Sequence, residues 1–179
     1  MIKQLALGAG VAALVSVVGL LGYAATKPDN FRVERSVMIN APAAKIYPLV
    51  ADFHNFPSWS PFEKLDPAMK RTHSGAASGK GAVYEWDGNG QAGQGRMEIT
   101  AVEPPNKVLI ALDFSKPFEA HNVTQYTLTP VDGGTRVTWS MFGPSPYLTK
   151  LMTTFFSMDS MVGKDFEAGL HAMKAIAEK

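Results

Sequence analysis

The sequence predicts an α+β domain: a curved antiparallel sheet of about seven strands wrapped around one long C-terminal helix, with two short helices after the first strand. Three observations predict it. Between residues 69 and 142, short alternating apolar runs recur with turn residues between them, the pattern of an antiparallel meander with one apolar face. After Pro146 the turn residues nearly vanish, and Val162, Phe166, Leu170, Met173 and Ala177 recur at the three- and four-residue spacing of an amphipathic helix. One apolar sheet face needs a cover, and that helix is the only element long enough to supply it.

Taken in order, the chain opens with 21 uncharged residues from Leu5 to Ala25, bracketed by Lys3 and Lys27. As a helix rising about 1.5 Å per residue, this run spans about 30 Å, the thickness of a bilayer's hydrocarbon core. Residues 1–30 are therefore expected to be a single-pass transmembrane anchor and linker, touching the membrane through residues 5–25. A cleaved signal peptide is the alternative, with Lys3 as its basic start and Gly22, Ala24 and Ala25 as small residues for a protease. A soluble buried helix is the third reading. The first two place the domain of residues 31–179 outside the cytoplasm, in a periplasm or the extracellular space.

Phe31, Val33, Val37 and Ile39 share one face of the first strand, and Arg35 interrupts it. Ala41 and Pro42 start a short helix, since Pro suits the first helical position; Pro48 then keeps that helix short or bent. Asp52 to Pro61 reads as a second small helix and a turn. Met69–Ser74 is a weak strand. Gly81–Trp86 is a strand with Tyr84 and Trp86 on one face, and Asp87–Gly93 turns the chain. Gly95–Val102 alternates with Met97, Ile99 and Ala101 on one side. Beyond the turn at Pro104–Asn106, Val108, Ile110, Leu112 and Phe114 form the cleanest alternation. Val123–Val131 and Thr135–Phe142 flank Asp132-Gly133-Gly134, a hairpin signal. Ser145 reads as an N-cap, with Pro146 opening the terminal helix.

Composition excludes several functions. The chain has no cysteine, so it has neither disulfides nor thiolate metal sites. Seventeen basic and sixteen acidic residues are interspersed, giving a net charge of +1, whereas a nucleic-acid partner would call for a basic excess on one face. Gly88–Gly93 matches GxGxxG, but a strand follows instead of the helix that would hold a pyrophosphate, so no dinucleotide cofactor is expected. His54, His73, His121 and His171 show no metal-pair spacing, and no GxSxG nucleophile motif is present. Neither a metal nor a cofactor is expected.

The candidate binding residues are apolar and aromatic. Tyr84, Trp86, Phe114, Tyr126, Trp139 and Met141 fall on the predicted inner face, Trp59 lies on the second small helix, and Phe155 and Met158 lie near the start of the terminal helix. A cavity walled by such side chains suits a hydrophobic small molecule. Polar candidates for chemistry are few. His121 opens a strand whose inner face could reach the cavity, and Arg35 shares the apolar parity of its strand and could meet an anionic headgroup. Glu85, Glu98 and Asp113 point to the opposite face.

The runs Val37–Pro42, Asp52–Phe53, Phe56–Pro61 with its Trp-Ser-Pro turn, Gly81–Trp86 and Gly133–Trp139 with its Gly-Gly-Thr-x-Val hairpin stand in one order. Together with the long terminal helix they resemble the START-like polyketide cyclase/dehydrase (SRPBCC) superfamily over residues 31–179. The resemblance implies a helix-grip fold, in which a seven-stranded sheet wraps the last helix and two small helices close one end. Members of that superfamily carry lipids, bind hormones or quinones, cyclise polyketides or activate chaperones. They share a cavity and no common catalytic motif, so the resemblance speaks for ligand binding more than for chemistry. The leading expectation is membrane-tethered, non-catalytic binding or transport of a lipid, isoprenoid or polyketide-like molecule. A cyclase or dehydratase using His121 or Arg35 for acid–base work is the second reading, and a protein-interaction module without a ligand is the third.

Overall fold

The structure is a computed structural model that describes residues 2–179, with side chains from Leu14 onward. Helix α1 (Ile2–Ala25) precedes β1 (Asn30–Ile39), α2 (Ala43–Ala51), a 3-10 turn (Phe53–Asn55), α3 (Phe56–Trp59) and a second 3-10 turn (Pro61–Lys64). Strands β2 (Lys70–Gly75), β3 (Ala82–Asp87), β4 (Gln94–Glu103), β5 (Lys107–Lys116), β6 (Ala120–Val131) and β7 (Gly134–Pro144) follow, and α4 (Tyr147–Met152) and α5 (Met158–Ala177) close the chain. The strands form one sheet in the order β1-β7-β6-β5-β4-β3-β2, every neighbour antiparallel. This is the predicted α+β helix-grip arrangement, with α5 lying along β1 and reaching β7, α2, α3 and the turn at Pro61–Lys64.

Local chemistry explains the elements around the first crossover. Pro48 sits inside α2, which ends three residues later. Asp52 then accepts from the His54 amide at 2.9 Å, capping the 3-10 turn, and Asn55 Nδ2 donates to the Pro48 carbonyl at 2.9 Å. These contacts fold residues 43–64 into a compact lid whose Ile46, Val50, Phe53, Phe56 and Trp59 are all buried.

Two expected elements differ. In β4 the register shifts between Ile99 and Ala101, so the alternation changes phase: Ile99 is buried, Ala101 is exposed, and Val102 turns toward the core. The terminal helix is two helices. Residues 153–157 break it, and Ser157 restarts it as the N-cap of α5, its hydroxyl accepting from the Ser160 amide at 3.0 Å with Asp159 in the first turn.

The expected transmembrane anchor and the placement of the domain outside the cytoplasm are corrected. Among the described residues, no helix is long and apolar enough to cross a membrane. Residues 5–13 of the expected span lie outside those whose side chains are described. What is described shows the end of α1 engaged with the domain. Ala24 is fully buried, the Tyr147 hydroxyl of α4 donates to the Leu21 carbonyl at 3.0 Å, and the Lys27 ammonium donates to the Thr153 carbonyl.

Polar ties fix α5 over the sheet. Arg35 donates to Asp159 at 2.7 and 2.9 Å and to Glu167 at 2.7 Å, Lys174 donates to the Met38 carbonyl at 2.8 Å, and Glu178 accepts from the Asn40 amide at 2.7 Å. Gly169 lets the helix come close, since a Cβ there would lie 2.8 Å from Trp139 Cζ3 and 3.1 Å from Pro61 Cδ.

Candidate functional site

The inner wall of the sheet meets α5 through a ring cluster. Trp139 stacks on Phe166 with centroids 4.1 Å apart and planes 5° from parallel. Trp59 meets it edge-on at 5.5 Å, and Tyr126 lies 5.2 Å away. Trp59 is locked in turn by its Nε1, which donates to the Leu49 carbonyl at 2.8 Å. Trp59 of α3 thus packs with Tyr126 and Trp139 of the sheet's inner face.

Tyr84, Trp86 and Phe114 form a second group at the other side of the wall. Trp86 meets Phe114 edge-on at 5.6 Å and donates from Nε1 to the Ala92 carbonyl at 3.0 Å. The Tyr84 hydroxyl donates to the buried Glu63 carboxylate at 2.5 Å, and Arg71 Nε donates to the other carboxylate oxygen at 2.6 Å. Burial, then the Glu63 hydrogen bond, push the Tyr84 phenol well above its ordinary value, so it stays a neutral donor. Nothing in the sequence spacing singles out Glu63, because its partners are 8 and 21 residues away.

The apolar wall is less covered at the end of the sheet beside the α4–α5 junction. There the register aligns Phe31 with Gly143, and Met97 with Leu112 and Asn122. Phe31, Phe62, Met97, Phe114, Met158 and Val162 are only partly buried against the core. Phe155 and Phe156 stand 65% and 69% exposed, and Leu148 and Met152 are exposed as well. Met141 is buried on the adjoining row, opposite Val33 and Thr124. Asn122 and Thr124 are buried on this wall beside Tyr126, polar residues at positions whose parity is otherwise apolar. The β6 alternation places both on the inner face, although their polar side chains give no sign of it.

The polar candidates lie elsewhere. His121 has the opposite parity to Asn122, Thr124 and Tyr126, and it stands 68% exposed on the outer face of the sheet. Its Nδ1 is 2.7 Å from Asp113 and its Nε2 is 3.4 Å from Glu119. The hydrogen bond to Asp113, with charge from both carboxylates, raises its pKa above the ordinary imidazole value. Thr72, Glu85, Arg96, Asp113 and His121 stand in register across five strands and border an open groove of about 620 Å³ on that face. Arg35 has its charge taken up by Asp159 and Glu167, which raise its pKa further. The fold also brings His54 and His73 together, rings stacked at 4.3 Å, a contact their spacing does not reveal. Among the described residues no group of three or more His, Asp or Glu side chains converges on a metal position.

Residues 30–178 match the family model described as polyketide cyclase / dehydrase and lipid transport. The chain belongs to this family. A comparison with curated proteins finds no match. Among solved structures, the chain is similar to BexL, a di-domain ARO/CYC of the BE-7585A biosynthetic pathway, at 12% identity over 99% of this chain and 60% of that one, with a TM-score of 0.61. It is also similar to protein MLL2253 of Mesorhizobium loti, at 19% identity over 82% and 96% of the two chains and a TM-score of 0.58. The Aha1 dimer of Colwellia psychrerythraea matches at 17% identity over 83% and 96%, with a TM-score of 0.56. At these identities the structures share the fold, and the family membership rests on the model match across the domain.

Proposed function

We propose that this family member binds a hydrophobic small molecule on the inner wall of the sheet, entering at the end beside the α4–α5 junction. The observation that carries the reading is the apolar side chains left uncovered there: Phe31, Met97, Phe114, Met158 and Val162 half-buried, with Phe155 and Phe156 exposed beside them. An apolar guest gains about 25 cal/mol for each Å² it removes from water, before ordering costs. The family's description names polyketide chemistry and lipid transport, and carriage of such a molecule is the finer form of this proposal. The carboxylate–tyrosine pair of Glu63 and Tyr84 and the aromatic wall of Trp86 and Phe114 serve as the rigid side of the site. Native mass spectrometry of the full chain purified from its own host, followed by extraction of the bound fraction, tests the reading. One apolar molecule per chain is expected, and Met97→Glu should abolish its retention. A chain that carries nothing and fails to bind added apolar probes would refute it.

A second reading rests on the outer groove. Asp113 orients His121 and favours its protonated form, an arrangement suited to a general acid. It predicts turnover of a polar substrate that disappears in His121→Ala and survives Met97→Glu.

A further inference from the structure

We infer that Trp139 Nε1 and the Tyr126 hydroxyl form a seat for an oxygen acceptor on the bound molecule, so that the site selects an elongated apolar compound bearing carbonyl or hydroxyl oxygen over a plain hydrocarbon. The inference rests on the binding reading above and specifies its ligand. It starts from how the interior treats its other polar ring ends. Trp59 Nε1 donates to the Leu49 carbonyl at 2.8 Å, Trp86 Nε1 to the Ala92 carbonyl at 3.0 Å, and the Tyr84 hydroxyl to Glu63 at 2.5 Å. Trp139 breaks the pattern. Its Nε1 is buried and has no hydrogen-bond partner among the described residues.

Its neighbour carries a second polar ring end. Tyr126 is the direct cross-strand partner of Trp139, with ring centroids 5.2 Å apart, and the Tyr126 side chain is almost wholly buried. Its hydroxyl makes no hydrogen bond among the described residues, and burial alone pushes its pKa far above that of a free phenol. Trp139 Nε1 is the costly one, since a fully buried donor that has lost water needs a replacement partner. An indole N–H only donates, so whatever completes this site must bring a lone pair. A ketone, hydroxyl or ether oxygen does so, whereas an alkyl chain or an ammonium group does not.

The same strand extends the polar line. Thr124 and Asn122 lie two and four residues before Tyr126 on the same face, are buried, and make no side-chain hydrogen bond among the described residues. At the rise of a strand, four residues cover roughly 13 Å. This line runs from the Trp139–Tyr126 pair toward the partly covered end of the sheet, flanked by Ile110 and Leu112 of β5 and by Met141 of β7. A molecule lying along β6 therefore meets apolar walls on both sides and donors beneath it.

Fluorene and fluorenone test this, because they share a shape and differ by one carbonyl oxygen. Equilibrium dialysis of the full chain against each is expected to show fluorenone binding about tenfold tighter. Tyr126→Phe and Trp139→Phe should each shrink the ratio of fluorenone to fluorene affinity about threefold or more, whatever either does to fluorene affinity itself, with circular dichroism confirming the fold. Thr124→Val, which keeps shape, serves as the variant least able to disturb packing. Equal affinity for the two probes, or a preference that survives both aromatic substitutions, overturns the inference while leaving hydrophobic binding intact. Failure of both probes to bind overturns the binding reading and this inference with it.

Discussion

Phe166 of α5 lies flat against Trp139 of β7, centroids 4.1 Å apart and planes 5° from parallel, and this contact joins the helix to the centre of the sheet. Both rings are almost fully buried. Phe166→Ala would open a void that neighbouring rings cannot collapse into, and should cost about 3–5 kcal/mol in urea unfolding. Phe166→Leu, which keeps most of the volume, should cost markedly less.

Gly169→Ala should destabilise the domain even though alanine is the better helix former by about 1 kcal/mol. The added methyl meets Trp139 Cζ3 at 2.8 Å, Pro61 Cδ at 3.1 Å and Trp59 Cζ3 at 3.5 Å, none of them the free end of a flexible chain. A net loss of about 1–2 kcal/mol in thermal or chemical unfolding is expected. A neutral or stabilising result would mean that α5 can shift away from the ring cluster.

Glu63 binds two partners from a buried position, so removing its charge should cost more than removing either hydroxyl or guanidinium contact alone. Glu63→Gln should lower stability by about 3 kcal/mol, because Arg71 loses its counter-charge next to a desolvated site. Tyr84→Phe should cost about 1–2 kcal/mol. The double mutant should fall well short of the sum, and a cycle of unfolding measurements reads the difference.

His121 should titrate above the ordinary imidazole value of about 6.5, and Asp113→Asn should bring it back toward that value; NMR of the ring protons follows both. The sign is set by the raised pKa in the folded chain. The contribution of the pair is complete below about pH 6.5, where the ring is charged in folded and unfolded chains alike, and it is lost as pH rises through the folded value. Exposure of the ring keeps its effect on stability small.

Much of this architecture is legible in the residue pattern, and the failures have specific causes. The alternation of Val108, Ile110, Leu112 and Phe114 fixes β5 and its inner face, because Val108 to Phe114 pair with β6 without a shift. In β4 one extra residue between Ile99 and Ala101 changes the phase, and nothing in the side chains marks it. The break in the terminal helix does leave a trace, since Ser157 with Asp159 two residues on is a helix start; the apolar run through Phe155 and Phe156 masks it. His121 was within reach as well. An unbroken β6 that turns Tyr126 inward must turn His121 outward, so opening a strand whose inner face reaches the core does not bring His121 there. The Glu63–Tyr84 and Trp139–Phe166 contacts depend on how lid, sheet and helix come together, and no local pattern encodes them.

The pairing of β1 with β7 sets the order in which this chain can be completed. Asn30 waits for Pro144 and Ile39 for Thr135, so the first strand made at the ribosome has no lateral neighbour until the last one emerges. Through most of the domain's synthesis the aromatic wall stands open, and α5, which follows every strand of the sheet, is also the element that covers Trp139. A nascent domain of this design is therefore most vulnerable to clumping in the interval before α5 emerges, and holdase-type chaperones would find their binding window there.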